Sequence, residues 1–207
     1  MKSLEQFKAI IWDFDGVILD SMPVREEGFK AIFSDFPQEQ VEILLQYHRK
    51  NGGLSRYKKI RYFFEEIRKE SIDESLLLKF ADEFSAIMLD KLKDEELLIT
   101  DSLSFIKTHY QSKRMHIASG SDGVELNELC LALGISGYFL SILGSPTPKH
   151  ELVEHILVKE NLKLSEVCLI GDSINDFDAA ELNGISFFGY NNPDLRKLQG
   201  RYIVNFK

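Results

Sequence analysis

The apolar run Ala9-Ile10-Ile11-Trp12 stops at two carboxylates, Asp13 and Asp15, with Phe14 between them and Gly16 directly after. A run this short and apolar, with Ile and Trp in it and Asp and Gly at its end, predicts a buried strand over residues 8–14. Strands of that kind belong to parallel sheets covered by helices on both faces. The stretch therefore constrains the fold more than any other. In a strand, residues i and i+2 point the same way. Asp13 and Asp15 are expected to face one spot beyond the strand's C-terminal end, with Phe14 turned away. Two carboxylates that close repel unless a cation or a shared proton relieves them. Taken alone, the pattern also fits a strand end whose aspartates cap the next turn.

The rest of the chain supports an α/β reading with an interruption. Between residues 21 and 94 the apolar residues recur at helical spacing: Phe29, Ile32 and Phe33; Val41, Leu44 and Leu45; Ile60, Phe63, Phe64 and Ile67; Leu77, Phe80, Phe84 and Ile87. These predict about four amphipathic helices, broken near residues 34–37, 51–53 and 71–73. Ser21 and Pro23 mark the first helix start. After Thr100, short apolar strands alternate with helices. Strands are expected at 115–119, 138–143, 167–170, 185–189 and 202–204, and Asp101 or Ser102 is expected to cap the helix that runs to about Gln111. The predicted fold is a Rossmann-like parallel sheet flanked by helices, built from residues 1–20 and 95–207, with an all-helical unit inserted at 21–94.

With 207 residues, 44% of them hydrophobic, the chain suits one domain carrying such an insertion. The net charge of −8 argues against a nucleic-acid or anionic-membrane surface, since both need a basic footprint. Cys130 and Cys168 each sit in an apolar run and are expected to be buried free thiols in a reducing compartment. No signal peptide and no membrane-spanning run is recognisable, so a cytoplasmic location is expected. Oligomeric state stays open between a monomer and a weak dimer.

In an open parallel sheet, ligands bind beyond the carboxyl ends of the strands. Asp13 and Asp15 end the first strand and Ser119 the second. Lys149 follows the third through Gly144-Ser145-Pro146-Thr147-Pro148, and Asp172 ends the fourth with Asp176 one helical turn further on. This set suits phosphoryl transfer. Clustered carboxylates without His or Cys ligands favour Mg²⁺. A lysine, a hydroxyl and the backbone N–H groups at Ser119-Gly120 can bind phosphate oxygens. One Asp can be a nucleophile, and a second can move a proton.

Asp13-Phe14-Asp15-Gly16-Val17, Ile117-Ala118-Ser119, Lys149 and Gly171-Asp172-Ser173-Ile174-Asn175-Asp176 resemble, in order and spacing, the four motifs of the haloacid dehalogenase superfamily. The helical block resembles that superfamily's cap. The resemblance implies Asp13 as nucleophile through an aspartyl-phosphate, and Asp15 as general acid/base whose backbone carbonyl also meets Mg²⁺. It implies Ser119 and Gly120 as phosphoryl binders, Lys149 as charge stabiliser, and Asp172 as a metal ligand. Asp176 is implied either as a more distant metal partner or as an orienting group for Lys149. An acid at Asp15 is a mark of the phosphatases and phosphomutases, not of the dehalogenases. The implied activity is Mg²⁺-dependent hydrolysis of a small phosphorylated metabolite, with a sugar phosphate as one candidate.

Asn51-Gly52-Gly53-Leu54-Ser55-Arg56 resembles the cap loop of the β-phosphoglucomutase and phosphoglycolate phosphatase branch. It makes Arg56 a candidate contact to an anionic or polyol part of the substrate; alternatively Arg56 is an exposed cation of a basic helix. Arg25 stands where those relatives commonly have His, which weakens a mutase reading and offers a further anion contact. Two alternatives remain: a phosphomutase of the β-phosphoglucomutase type, and a catalytically silent binding or regulatory module on the same fold. The histidines, among them His48 and His150, carry no metal-ligand spacing, and Trp12 reads as packing.

Overall fold

The computed structural model describes residues 4–198 and 201–206. Its centre is β1 (Ala9–Trp12), every residue of which is buried. Parallel pairing joins β1 to β2 (Arg114–Asp122) on one side and to β4 (Val167–Gly171) on the other. With β3 (Ser141–Ser145), β5 (Ser186–Tyr190) and β6 (Arg201–Ile203), the six strands run in the order β3-β2-β1-β4-β5-β6. The order reverses between β1 and β4, so a crevice opens beyond their carboxyl ends.

Alternation along β1 feeds two apolar layers. Ile10 and Trp12 join Met115, Ile117, Cys168 and Ile170 under α5 (Thr100–His109) and α6 (Gly123–Ala132). Ala9 and Ile11 join Ala118, Val167 and Leu169 under α7 (Lys149–Lys159) and α8 (Ile174–Leu182). Burial on both faces is why these strands read as continuous apolar runs. Trp12 packs against Phe105 and Phe206 and donates its Nε1–H to Met115 Sδ. Cys130 and Cys168 are free and buried, and burial pushes the Cys130 thiol up to about 12.

Between β1 and α5 come α1 (Met22–Ile32), α2 (Gln38–Lys50), α3 (Arg56–Tyr62) and α4 (Glu74–Lys91), with no strand among them. All three expected breaks fall between these elements. Ser55 and Asp73 accept backbone N–H groups at the starts of α3 and α4. A π-helical turn at Phe63–Arg68 continues α3 and buries both Phe63 and Phe64. Lys69, left-handed at φ 57°, ends it. Phe33, Phe36, Phe63, Phe64 and Phe80 form one aromatic cluster, with the Phe33 and Phe63 rings 4.1 Å apart. The two chain crossings to the insertion hydrogen-bond to each other: Asp20 N–H donates to Leu97 O at 2.8 Å and Ile99 N–H to Ile18 O at 2.9 Å.

Several boundaries differ from expectation. β2 runs on through Gly120 and Ser121, past the expected end at Ser119, because Asp122 pairs with Ser145 past a register shift. β3 begins at Ser141 and not Tyr138, whose ring packs against Tyr110 instead. Neither Asp101 nor Ser102 caps α5, which starts at Thr100. The Ser102 hydroxyl donates to Val17 O and Ile99 O, and the Asp101 carboxylate accepts from Tyr190 and the Phe206 N–H. Among the described residues, no helix is long and apolar enough to cross a membrane.

Candidate active site

The crevice beyond β1 and β4 holds a chain of buried charges. Asp13 follows β1 and continues its ladder, its N–H donating to Ile170 O at 2.9 Å. Its Oδ1 accepts from the Phe14 N–H at 2.8 Å and from Lys149 Nζ, also at 2.8 Å. Lys149 opens α7 behind the Pro148 cap and is therefore held at the sheet's edge. Its ammonium also donates to Asp176 Oδ1. Asp176 lies in the first turn of α8, where its Oδ2 accepts from Ser173 N–H at 3.0 Å and Ser173 Oγ at 2.6 Å. Both Asp176 oxygens are thus committed, one to the helix start and one to Lys149.

Asp172 ends β4 with its carboxylate against Gly16. A Cβ at residue 16 would lie 2.1 Å from Asp172 Oδ2, and φ there is +72°, so glycine is required twice over. Asn191 and Asn192, in the turn after β5, donate to Gly16 O and Asp172 O and hold both loops from behind.

One lysine does not neutralise three carboxylates. Burial, then the charge of Asp176, raises Asp13 to about 7 against the pull of Lys149. Burial, then Asp13 and Asp176, raises Asp172 well above the usual carboxylate range. Burial disfavours the Lys149 ammonium, but Asp13 and Asp176 outweigh it and raise its pKa. One oxygen from each of Asp13, Asp172 and Asp176 fits within a 4.8 Å span. Oxygen donors whose mutual repulsion is uncompensated are what a hard divalent cation relieves. The residues present fit such an ion, with Asp13 and Asp172 the freer ligands.

Asp15 takes a different set of partners. Its Oδ1 accepts from Arg25 Nε at 2.7 Å and from Ser21 Oγ, and its Oδ2 from Ser121 Oγ at 2.5 Å. Phe14 is fully buried, as the strand pattern predicts, but the two acids flanking it do not share a cation. Burial pushes the Asp15 pKa up; Arg25 and the hydrogen bonds from Ser121, Ser21 and Arg25 outweigh it and hold it below the ordinary value. Ser119 is buried, and its Oγ accepts the Ser121 N–H at 3.2 Å.

The helical insertion closes over these groups. Glu125, in the first turn of α6, receives Arg25 Nη1 at 3.2 Å and Arg56 Nη2 at 2.6 Å. Arg56 also meets Ser85 and lies over the Phe84 ring at 5.0 Å. It is buried, not exposed on a basic helix; of its neighbours Lys58 is exposed and Lys59 buried. Tyr57 donates to Asp122 Oδ2 at 2.8 Å. Gly53 rests on the phosphate-binding candidates: a Cβ on Gly120 would lie 2.2 Å from Gly53 O, and one on Gly53 would lie 2.6 Å from Ser173 Oγ.

Sequence reasoning placed Ser21 only at a helix start and did not single out Ser121, Glu125 or Lys59. Ser121 lies two residues beyond Ser119 on one strand, and Lys59 one helical turn beyond Arg56, so both carried a spacing signal. Nothing local marks Glu125, whose partners lie 100 and 69 residues away. A cavity of about 530 Å³ beside α5 is lined by Thr100, Ser104, His109 and Phe206 and contains none of the site acids. A cleft of about 280 Å³ reaches Gly53, Gly120, Lys149 and Asn175.

The sequence profile of the haloacid dehalogenase-like hydrolases matches residues 10–190. The chain is 23% identical over 185 residues to a phosphorylated carbohydrates phosphatase of Thermotoga maritima, spanning 86% of this chain and 82% of that one. It is 24% identical over 206 residues to a phosphoglycolate phosphatase of Vibrio parahaemolyticus, spanning 89% and 84%. The fold superposes on the crystal structure of β-phosphoglucomutase from Clostridium difficile with a TM-score of 0.77 at 18% identity, covering 97% of this chain and 92% of that one.

Proposed function

Since the chain belongs to the haloacid dehalogenase-like hydrolases, we propose that it is a Mg²⁺-dependent phosphatase acting in the cytoplasm on a small phosphorylated metabolite. Sugar phosphates are the first class to test, in line with the names of the two phosphatase relatives. The observation that carries the reading is the buried Asp13–Lys149–Asp176 chain, with Asp172 beside it at the switch point of the sheet. In this reading residues 21–94 act as a cap over a core of residues 1–20 and 95–207.

Asp13 Oδ1 is held by Phe14 N–H and Lys149, which leaves Oδ2 as the attacking atom. Attack forms the Oδ2–P bond and breaks the ester P–O bond, and Asp15 gives its proton to the leaving alkoxide. Water then attacks phosphorus, Asp15 takes the water proton, and inorganic phosphate leaves with the Asp13 carboxylate restored. Ser119 Oγ and the Gly120 N–H bind the phosphoryl oxygens. Lys149, oriented by Asp176, offsets the charge that builds in the transition state. Mg²⁺, held by Asp13, Asp172 and the Asp15 carbonyl, supplies charge neutralisation when bound. The hydrogen bonds to Asp15 keep it ionised while Arg25 is in place; once entering substrate displaces Arg25, Asp15 takes up a proton from solvent, and that is the proton it gives to the leaving alkoxide. The insertion must therefore open to admit substrate and close to exclude water.

The test is phosphate release from a panel of phosphorylated metabolites with Mg²⁺, for wild type and Asp13→Asn. The wild type should release phosphate and the variant none; equal rates refute the mechanism. An isomeric sugar phosphate in place of inorganic phosphate identifies a phosphomutase. No turnover of any ester identifies a silent module.

A further inference from the structure

The cations that the insertion brings to the site are not equally matched. Arg25 meets Asp15 and Glu125, and Arg56 meets Glu125. Lys59 lies three residues after Arg56 on α3, on the same face, and is 3% exposed. Its Nζ donates to one backbone oxygen, Gly52 O, at 3.0 Å. Among the described residues, no carboxylate lies within 4.0 Å of it. Three buried cations thus share two carboxylates, Asp15 and Glu125. A buried ammonium without a counter-charge is costly. Burial, then the charge of Arg25, pulls the Lys59 pKa down to about 7, with Arg56 adding to them and Asp15 and Asp172 opposing.

A second observation concerns the same cavity. His48 is fully buried, and neither of its ring nitrogens has a partner. Burial keeps the ring neutral, so it presents one donor and one acceptor. His48 and Lys59 line one cavity with Arg25, Arg56, Gly120 and Ser121. With the insertion closed the cavity measures about 20 Å³, room for about one water. A larger occupant enters only with the insertion displaced, as any substrate must. A hydroxyl group would complete the hydrogen bonds but bring no charge to hold Lys59 protonated; an anion supplies both.

We infer that Lys59 is a specificity-determining residue: its ammonium, with the His48 ring beside it, receives a second oxyanion carried by the substrate away from the phosphoryl group that is hydrolysed. The inference rests on the phosphatase reading and narrows its substrates to phosphate esters bearing a carboxylate or a second phosphate. Because the cavity shares Asp15, Gly120 and Ser121 with the phosphoryl site, one molecule can occupy both.

Two substrate pairs test it: 2-phosphoglycolate against isobutyl phosphate, and 3-phosphoglycerate against glycerol 3-phosphate. In each pair only the first member carries the remote carboxylate. Wild type should favour that member in at least one pair by about tenfold or more in kcat/KM. Lys59→Met should bring the ratio close to one, chiefly through KM, and Lys59→Arg should keep part of it. The ratio is taken within each protein, so a general loss of activity cancels. A binding arm needs no turnover: in Asp13→Asn protein, 2-phosphoglycolate should raise Tm more than isobutyl phosphate, and adding Lys59→Met should erase that difference. Hydrolysis of all four esters without preference, or a preference that survives Lys59→Met, overturns the inference and leaves the phosphatase reading standing. Failure to hydrolyse any ester, p-nitrophenyl phosphate included, overturns the phosphatase reading, and the Tm arm still decides the anion site.

Discussion

Gly120→Ala separates the two jobs that residue 120 holds in the proposed mechanism. Alanine keeps the backbone N–H that binds a phosphoryl oxygen. Its Cβ, however, would lie 2.2 Å from Gly53 O and 2.8 Å from Gly53 C, both backbone atoms of the loop that closes on the site. Contacts under 3.0 Å are forbidden and ordinary contact begins at 3.4 Å, so the loop must withdraw by between 3.0 − 2.2 = 0.8 Å and 3.4 − 2.2 = 1.2 Å. Misplacement of about 1 Å in a closing element costs on the order of 100-fold in rate. The expected result is a fall of about that size in kcat/KM for phosphate release. Gly120 lacks a positive φ, so its own backbone accepts alanine, but the atoms that must give way are backbone, and that displacement opposes the gain of about 0.4–1 kcal/mol a compatible Gly→Ala brings through the unfolded chain. Urea unfolding should therefore show a lowered midpoint beside the kinetic loss. Gly53→Ala tests the same loop against the start of α8 instead, with a Cβ 2.6 Å from Ser173 Oγ and 3.1 Å from Asn175 Cβ. If Gly120→Ala hydrolyses its best ester at the wild-type rate, close approach of this loop plays no part in turnover.

Three further outcomes follow from the buried charges. Glu125→Gln leaves Arg25 and Arg56 without their shared carboxylate and should cost about 3–5 kcal/mol in urea unfolding; a loss under about 1 kcal/mol means the bridge is solvated in solution. Lys59 titrates near 7 when folded and near 10.5 when unfolded. Over that window the unfolded chain binds more protons, so stability should rise with pH between about 7 and 10, at about 1.4 kcal/mol per unit at most. The groups that set this are Arg25, Asp15, Arg56 and Asp172; a rise that is as steep in Lys59→Met assigns it elsewhere. Mg²⁺ at about 100 times its Kd should stabilise the fold by about 2.7 kcal/mol, and Asp172→Asn should abolish that shift in Tm. Chelation that leaves Tm and activity unchanged removes the metal from the mechanism.

The fold was legible wherever local pattern carried the information. The apolar runs at 9–12 and 167–170 announced strands buried on both faces, and both are central strands. Helical spacing through residues 21–94, with breaks at Pro37, Gly52-Gly53 and Asp73, matched α1–α4. Boundaries failed where a partner element decided them. The strand expected to end at Ser119 runs on to Asp122, where β3 pairs with it. Ser21 reads as a cap, yet its hydroxyl goes to Asp15. Arg56 was a candidate substrate contact; in the closed structure Glu125, Ser85 and Phe84 surround it, and the cation left without a carboxylate is Lys59.

The sequence by itself determined which groups arrive at the crevice, because periodicity sets strand ends and strand ends set where Asp13, Ser119 and Asp172 emerge. The tertiary structure alone decided how the charges divide. Asp13 pairs with Lys149 across 136 residues and Arg25 with Glu125 across 100, separations at which chain spacing says nothing about contact. In a buried site each charge is costly until it meets its opposite, and which pairs form depends on how the helices of the insertion lie against the sheet. Asp13 and Asp15, two residues apart, therefore part company: one is raised among acids beside Lys149, the other held ionised by Arg25.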